Sequence, residues 1–299
     1  MRKATSSPFG RFIPAMITPF NKERELDLNR VGELVERLIK GGSDALIVNG
    51  TTGESPTVFY SQKIELFKAV LCATDNRIPV IANVGDNSTA DSVAFARDVA
   101  KLGVDGIMCV VPYYNKPPQE GLYRHFRMVA NSVELPVILY NIPGRCVINM
   151  TSETTLRLAY DVENIVAIKE ASGKLDQISD IVVNAPTGFV VYSGDDEATL
   201  PIMSLGGHGV ISTIGNVVPD LMKELVSALS LGQTDLALSL HQRLQPLMRA
   251  LFVTANPIMV KEAMRLIGFD CGGVRLPLID ASPEQSTMLK SVMQSAGVI

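Results

Sequence analysis

The chain has 299 residues, a formal net charge of -4, and 46% hydrophobic residues. This balance offers no basic surface for a nucleic-acid backbone, and no apolar segment approaches the length that crosses a membrane. We therefore expect a soluble, cytoplasmic protein with a large hydrophobic core. The four cysteines are scattered singly and the three histidines lie far apart, which argues against a disulfide framework and against a metal centre.

Short apolar runs recur along the chain, with helical patterns between them. The eight runs are 13–18, 45–48, 79–84, 106–111, 136–141, 165–170, 189–194 and 209–213. Helical patterns such as 28–40 and 88–102 begin beside the capping residues Asp27 and Ser88. Eight buried strands alternating with helices predict an α/β fold of the (β/α)8 TIM-barrel class. An open doubly wound sheet is the alternative, but no glycine-rich phosphate motif follows the first run.

The chain continues well beyond the eighth run. Helical patterns over 221–231, 235–251, 257–267 and 283–295 exceed the one helix that completes a barrel. No Ser/Gly-rich linker separates them from the rest of the chain. We therefore predict a catalytic barrel over residues 1–230 and a C-terminal helical extension, packed on the barrel, over residues 231–299.

The active site of such a barrel lies at the carboxyl ends of its strands. Those ends carry Lys169 and the segments NGTTGES (49–55), PYYNKPP (112–118), YNIPGR (140–145) and SGDD (193–196). The segments supply hydroxyls, phenols and one guanidinium, and Lys169 supplies an amine. We expect the two aspartates of SGDD, Asp195 and Asp196, to cap the following helix.

Lys169 directly follows the apolar run IVAI (165–168). Burial favours the neutral amine, which can attack a ketone to form a Schiff base. Tyr140, Tyr114 and Thr51 could pass the protons that this chemistry requires without adding charge beside the amine. The alternative is that the strand has ended and that the lysine side chain reaches water.

Two further segments suit anions. Thr51, Thr52 and Gly53 offer hydroxyls and backbone N–H groups to a small carboxylate such as that of a 2-oxo acid, although a helix N-cap turn would use the same residues. Arg145 follows Pro-Gly on a tight turn, where its guanidinium suits a second carboxylate or phosphate; a surface arginine is the alternative.

Several of these segments together resemble the dihydrodipicolinate synthase family of pyruvate-dependent Schiff-base barrels. They are GTTGES, PYYNKPPQEGLYRHF, LYNIPGR, IVAIKEASG, SGDD and GGHGVIS. The wider superfamily includes N-acetylneuraminate lyase and 2-keto-3-deoxy-sugar-acid aldolases, which share the lysine and the tyrosine. The second threonine of GTTGE and the arginine of PGR favour the synthase family over those aldolases.

The resemblance implies a lyase that condenses pyruvate with L-aspartate 4-semialdehyde to give 4-hydroxy-tetrahydrodipicolinate, the first committed step of the diaminopimelate route to lysine. It implies that Lys169 forms a covalent imine with pyruvate, with no other cofactor and no metal. It also implies that Tyr140 donates and accepts protons beside this imine, while Thr51 and Tyr114 complete the relay.

The resemblance also assigns substrate binding and assembly. Thr52 would hold the pyruvate carboxylate, Arg145 would bind the carboxylate of the semialdehyde, and main-chain groups of Gly194 and Ile211 would line the pocket. Family members are typically homotetramers built from two tight dimers. In such a dimer, Tyr114 would reach into the site of the neighbouring subunit.

Lysine-inhibited members of the family bind lysine at the tight-dimer interface. The matching positions here are Ser55, Tyr60, Lys63, Asn87, Asp91 and Tyr113. Lys63 stands where sensitive members commonly have histidine, and a cation there repels a lysine ligand. We therefore predict weak or absent inhibition by lysine.

Other functions remain open at the level of the sequence. A sugar-acid aldolase of the same barrel is one, although Arg145 suits a carboxylate better than a polyol. A catalytically silent barrel that senses a 2-oxo acid is another. A pyridoxal-phosphate lyase would also use a lysine, but the sequence shows no dedicated phosphate cup.

Overall fold

The computed structural model describes residues 7–299. Eight strands lie within that range, and each is short and almost wholly buried. They are β1 (Phe12–Pro14), β2 (Leu46–Val48), β3 (Val80–Asn83), β4 (Gly106–Val110), β5 (Val137–Asn141), β6 (Ile165–Glu170), β7 (Val190–Ser193) and β8 (Gly209–Ser212).

Twelve α-helices are found in the same residues, 7–299. They are α1 (Leu28–Lys40), α2 (Tyr60–Thr74), α3 (Thr89–Ala100), α4 (Gln119–Ala130), α5 (Pro143–Cys146), α6 (Ser152–Asp161), α7 (Leu175–Asn184), α8 (Thr199–Ser204), α9 (Pro219–Ser230), α10 (Thr234–Ala250), α11 (Ile258–Leu266) and α12 (Pro283–Ser295).

The strands of residues 7–299 follow the order β1-β8-β7-β6-β5-β4-β3-β2 in one sheet. The fold class is therefore the predicted (β/α)8 barrel with additional C-terminal helices, not the open doubly wound sheet. Each predicted strand is found within one or two residues of the expected ends, except that β1 stops four residues earlier, at Pro14.

Local sequence signals explain several of the helix ends. The Asp27 side chain accepts a hydrogen bond from the Arg30 amide at the start of α1, and Ser88 does the same for the Asp91 amide at α3. Both predicted caps are therefore confirmed. The predicted cap at α8 is wrong, because Ala198 holds the N-cap position without a side-chain bond.

Backbone contacts divide the chain into two compact units. The first unit comprises Pro79–Ile211 with the segment that ends at Arg11, and it contains β3 to β7 and α3 to α8. Its strands are parallel, so their carboxyl ends share one edge. The side chains at that edge are the ones that can meet.

The second unit comprises Phe12–Ile78 and Ser212–Ile299. It contains β1, β2, α1 and α2 together with α9 to α12, all four of the predicted C-terminal helices. The proposed boundary between residues 230 and 231 stays a prediction. None of the helices in residues 7–299 combines the length and the apolar character that a membrane span requires.

Candidate active site

Lys169 lies near the carboxyl end of β6, between two tyrosines on the neighbouring strands. Its backbone is in register with Tyr140 on β5 and with Tyr192 on β7. Residues in register on parallel strands point to the same face, and the Lys169 Nζ atom lies 4.3 Å from the centre of the Tyr140 ring. Lys169 is only 5% exposed, so its side chain does not reach water as the alternative interpretation required.

The surroundings of Lys169 favour its neutral amine. Burial lowers the pKa of Lys169 to about 8, and the nearby charge of Arg145 acts in the same direction. The carboxylates of Asp196 and Asp195 oppose this shift by stabilising the charged form. The sequence indicated only a helix cap at these aspartates, because their electrostatic effect on Lys169 depends on how the chain folds.

Gly194 makes room for the Lys169 side chain. A Cβ atom at Gly194 would lie 3.0 Å from Cγ of Lys169, 3.1 Å from its Cε, and 2.9 Å from Cβ of Ala171. The Gly194 amide donates to the Glu170 carbonyl oxygen at 2.8 Å, which fixes the backbone in this position. Any larger residue would therefore press on the stem of the lysine.

The opposite face of β5 and β6 carries a polar network that was not predicted from the sequence. Asn141 Nδ2 donates to Oε1 of Glu170 at 2.8 Å, and Gln177 Nε2 donates to Oε2 at 3.0 Å. Burial raises the pKa of Glu170, while the hydrogen bonds from Asn141, Gln177 and Ser172 lower it. The only signal in the sequence was a glutamate inside a buried run, directly after Lys169.

The loop after β5 carries Arg145 on the single turn of α5. Arg145 is exposed to solvent. The next residue, Cys146, is buried, and its Sγ lies 3.1 Å from the Val111 carbonyl oxygen. Burial raises the pKa of Cys146 to about 11, so this thiol stays protonated and packs as an ordinary buried side chain.

Tyr114 and Ile211 occupy contrasting environments. Tyr114 follows β4 with a left-handed backbone (φ 74°) and is 87% exposed, which is unusual for a large aromatic side chain. Ile211 lies on β8 and is fully buried, so its contribution to a pocket would come from its main chain, as the resemblance implies.

The second unit contains Thr51 and Thr52, in a tight turn after β2. Thr52 is 3% exposed, and its Oγ1 accepts a hydrogen bond from Nδ2 of Asn256 at 2.9 Å. The Gly53 amide donates to the Gly50 carbonyl oxygen at 3.1 Å, so it is not available to an anion. The Gly53 N–H therefore does not serve an anion as expected, while anion binding by the threonine hydroxyls and the other backbone N–H groups of this turn stays a prediction.

A charged cleft of about 820 Å³ also lies within the second unit. Two of its arginines, Arg24 and Arg265, already form ion pairs with Asp280 and Glu262. In the described part of the chain, its lining includes none of the predicted site residues. Residues 7–299 also contain no group of three or more His, Cys, Asp or Glu side chains placed to hold a metal ion.

Comparison with known proteins identifies the family. The model of the dihydrodipicolinate synthetase family matches residues 8–296. The chain belongs to this family. A 4-hydroxy-tetrahydrodipicolinate synthase of Symbiobacterium thermophilum is 50% identical over 291 residues, which cover 97% of this chain and 99% of the relative.

Solved structures of dihydrodipicolinate synthases agree with this assignment. The enzyme of Cyanidioschyzon merolae, solved with lysine bound, is 45% identical with a TM-score of 0.96, covering 98% of this chain and 100% of that one. The chloride-inhibited enzyme of Acinetobacter baumannii, solved with pyruvate, is 36% identical with a TM-score of 0.95, covering 97% of this chain and 100% of that one. Enzymes of the dihydrodipicolinate synthetase family need no metal cofactor.

Proposed function

We propose that the protein is a lyase that condenses pyruvate with L-aspartate 4-semialdehyde, through an imine on Lys169, to give 4-hydroxy-tetrahydrodipicolinate in the diaminopimelate route to lysine. The observation that carries this proposal is the buried amine of Lys169, with its lowered pKa, beside the ring of Tyr140. Membership of the dihydrodipicolinate synthetase family supports the choice of substrates.

In this reaction the neutral Nζ of Lys169 attacks C2 of pyruvate, and loss of water from the carbinolamine gives the imine. Loss of a proton from C3 then gives an enamine, which attacks the aldehyde carbon of the semialdehyde and regenerates the imine. The amino group of the semialdehyde attacks the imine carbon, closes the ring and expels Nζ of Lys169 as the free amine. Tyr140 transfers these protons, with Thr51 and Tyr114 as further members of the relay. The only covalent link between enzyme and substrate is the bond to Lys169, and no separate cofactor takes part.

The remaining residues bind the substrates. Thr52 holds the pyruvate carboxylate, Arg145 holds the carboxylate of the semialdehyde, and main-chain groups of Gly194 and Ile211 line the pocket. The exposure of Arg145 supports a role in capturing the second substrate, which must enter after the imine has formed. The protein works in the cytoplasm.

We further propose a homotetramer of two tight dimers. The exposed ring of Tyr114 supports this assembly, because a partner subunit would cover the ring and use its hydroxyl in the relay. Sedimentation of the protein at micromolar and nanomolar concentrations tests this proposal. A monomer that keeps full activity would contradict it.

The function is tested by trapping the imine with borohydride. Reduction in the presence of pyruvate adds the mass of pyruvic acid less one oxygen atom, and peptide mapping locates the adduct on Lys169. Addition of the semialdehyde before the reductant consumes the adduct. An adduct that persists with the semialdehyde but is consumed by an aldehyde sugar favours the sugar-acid aldolases, and the absence of an adduct contradicts the proposal.

The rate of imine formation should rise with pH. At low pyruvate concentration the rate follows the fraction of neutral Lys169, so we expect it to increase through an apparent pKa near 8. Substitution Asp196→Asn removes a carboxylate that raises the pKa of Lys169, so the profile shifts to lower pH. Borohydride trapping after a series of reaction times, repeated at several pH values, measures both pH profiles. A shift of the Asp196→Asn profile to higher pH would contradict the electrostatic assignment.

Inhibition by L-lysine should be weak or absent. Lys63 is half-buried at the start of α2, and its cation opposes a cationic ligand by on the order of 1 kcal/mol. Turnover in the presence of submillimolar lysine should therefore be unchanged, whereas Lys63→His should gain several-fold in sensitivity. Strong inhibition of the native protein by submillimolar lysine would refute the prediction.

A further inference from the structure

We propose that Asn256 is a positioning residue for pyruvate, because it orients the hydroxyl group of Thr52. This inference deepens the proposed function and rests on it, since it takes Thr52 as the group that holds the pyruvate carboxylate. Asn256 lies in the connection between α10 and α11, in the same compact unit as the threonine turn.

The direction of the hydrogen bond carries the argument. Nδ2 of Asn256 can only donate, so Oγ1 of Thr52 accepts at 2.9 Å. The hydroxyl proton of Thr52 must then point elsewhere. Its other neighbour, Oγ1 of Thr213, is 3.4 Å away, at the weak limit for a hydroxyl pair. The proton therefore remains available to a stronger acceptor, and a carboxylate is such an acceptor.

The pair is buried, which makes this orientation effective. Thr52 and Asn256 are both almost inaccessible to solvent, so water does not compete for the Thr52 hydroxyl. The oxygen of this hydroxyl already accepts a hydrogen bond from Asn256. The group therefore loses little conformational entropy when it adopts the geometry that a ligand needs. Truncation of Asn256 would leave Oγ1 of Thr52 free to accept from another donor and to turn its proton away.

Asn256 is itself held in place by the segment that follows it. Lys261, one turn into α11, lies 2.6 Å from Oε1 of Glu54, two residues beyond Thr52. The Arg275 amide donates to the other oxygen, Oε2, at 2.9 Å. Residues 256–275 therefore contact the turn after β2 at two points, Thr52 and Glu54.

The effect should appear in pyruvate binding rather than in the covalent chemistry. We expect Asn256→Ala to raise the pyruvate concentration for half-maximal imine formation about tenfold, the loss that fits one weakened hydrogen bond to a charged group. The rate at saturating pyruvate stays within about twofold of native, since Lys169 is untouched. Asn256→Asp replaces the donor with an acceptor of similar shape and should raise the half-maximal concentration further.

A double-mutant cycle with Thr52→Val tests the inference. The measured quantity is the pyruvate concentration that gives half-maximal borohydride trapping on Lys169. If Asn256 acts through the Thr52 hydroxyl, Asn256→Ala costs nothing more once that hydroxyl is gone. An equal cost in both backgrounds, or no shift in the native background, would overturn the inference.

Controls separate positioning from general loss of structure. Asn164→Ala removes a half-buried asparagine whose Nδ2 donates to three carbonyl oxygens of the other unit, and it should lower the unfolding temperature without raising the half-maximal pyruvate concentration. Asn256→Ser keeps a small polar group and replaces Asn256→Ala in the same measurement if the alanine variant does not fold. Failure of the native protein to form any adduct would refute the proposed function instead.

Discussion

Replacement of Lys169 with methionine should lower kcat/KM by on the order of 10⁴-fold or more, because it removes the proposed nucleophile, on which every later step of the proposed reaction depends. Methionine has nearly the same length and no charge. The site that holds Lys169 is 5% exposed, so an apolar side chain fits without a desolvation cost. We therefore expect the folded structure to survive the loss of activity.

Steady-state turnover and borohydride trapping measure this result together. Lys174→Met is the matched control, since Lys174 is an exposed lysine five residues further along, at the start of α7. The control should retain native turnover and a native adduct. Turnover of Lys169→Met within tenfold of the native rate would show that another group carries the chemistry.

Replacement of Lys261 with methionine should cost about 3–5 kcal/mol of unfolding free energy, because it leaves the Glu54 carboxylate buried without its cation. The two side chains are 2% and 1% exposed, and their charged atoms are 2.6 Å apart. Burial lowers the pKa of Lys261 while Glu54 opposes that shift, so the ammonium depends on this partner. Its Nζ also donates to the Gly273 carbonyl oxygen at 2.9 Å.

Urea unfolding of three variants measures this cost. Lys101→Met removes an exposed ion pair with Asp98 and should cost less than about 1 kcal/mol. The double variant Glu54→Gln with Lys261→Met should recover part of the loss, because no uncompensated charge remains. A loss for Lys261→Met no greater than for Lys101→Met would contradict the assignment of a buried, coupled pair.

The fold could be predicted from the sequence because its signals are local. A helical apolar pattern with a cap beside it marks α1, and a continuous apolar run marks β6. The predicted bounds of both elements are the observed ones. Lys169 and Tyr140 could be predicted as neighbours because both follow from one rule, that the strand ends of a parallel barrel share an edge.

The contacts that support the site could not be predicted in this way. Asn256 and Thr52 are 204 positions apart, and no sequence motif contains both residues. The bond from Asn141 to Glu170 spans 29 positions and crosses between strands on the face away from Lys169. Such contacts depend on tertiary placement of single side chains, for which periodicity and capping carry no signal.

The contact between Asn256 and Thr52 bears on how this chain can be shortened or rearranged. An engineer who trims the protein to eight strands and eight helices would cut before Asn256, and would remove a donor from the turn after β2 along with the cation that neutralises Glu54. A circular permutant that opens the chain elsewhere keeps both. Under the proposed function, the C-terminal segment therefore supports the pyruvate site, and a minimal barrel would need replacement contacts at Thr52 and Glu54.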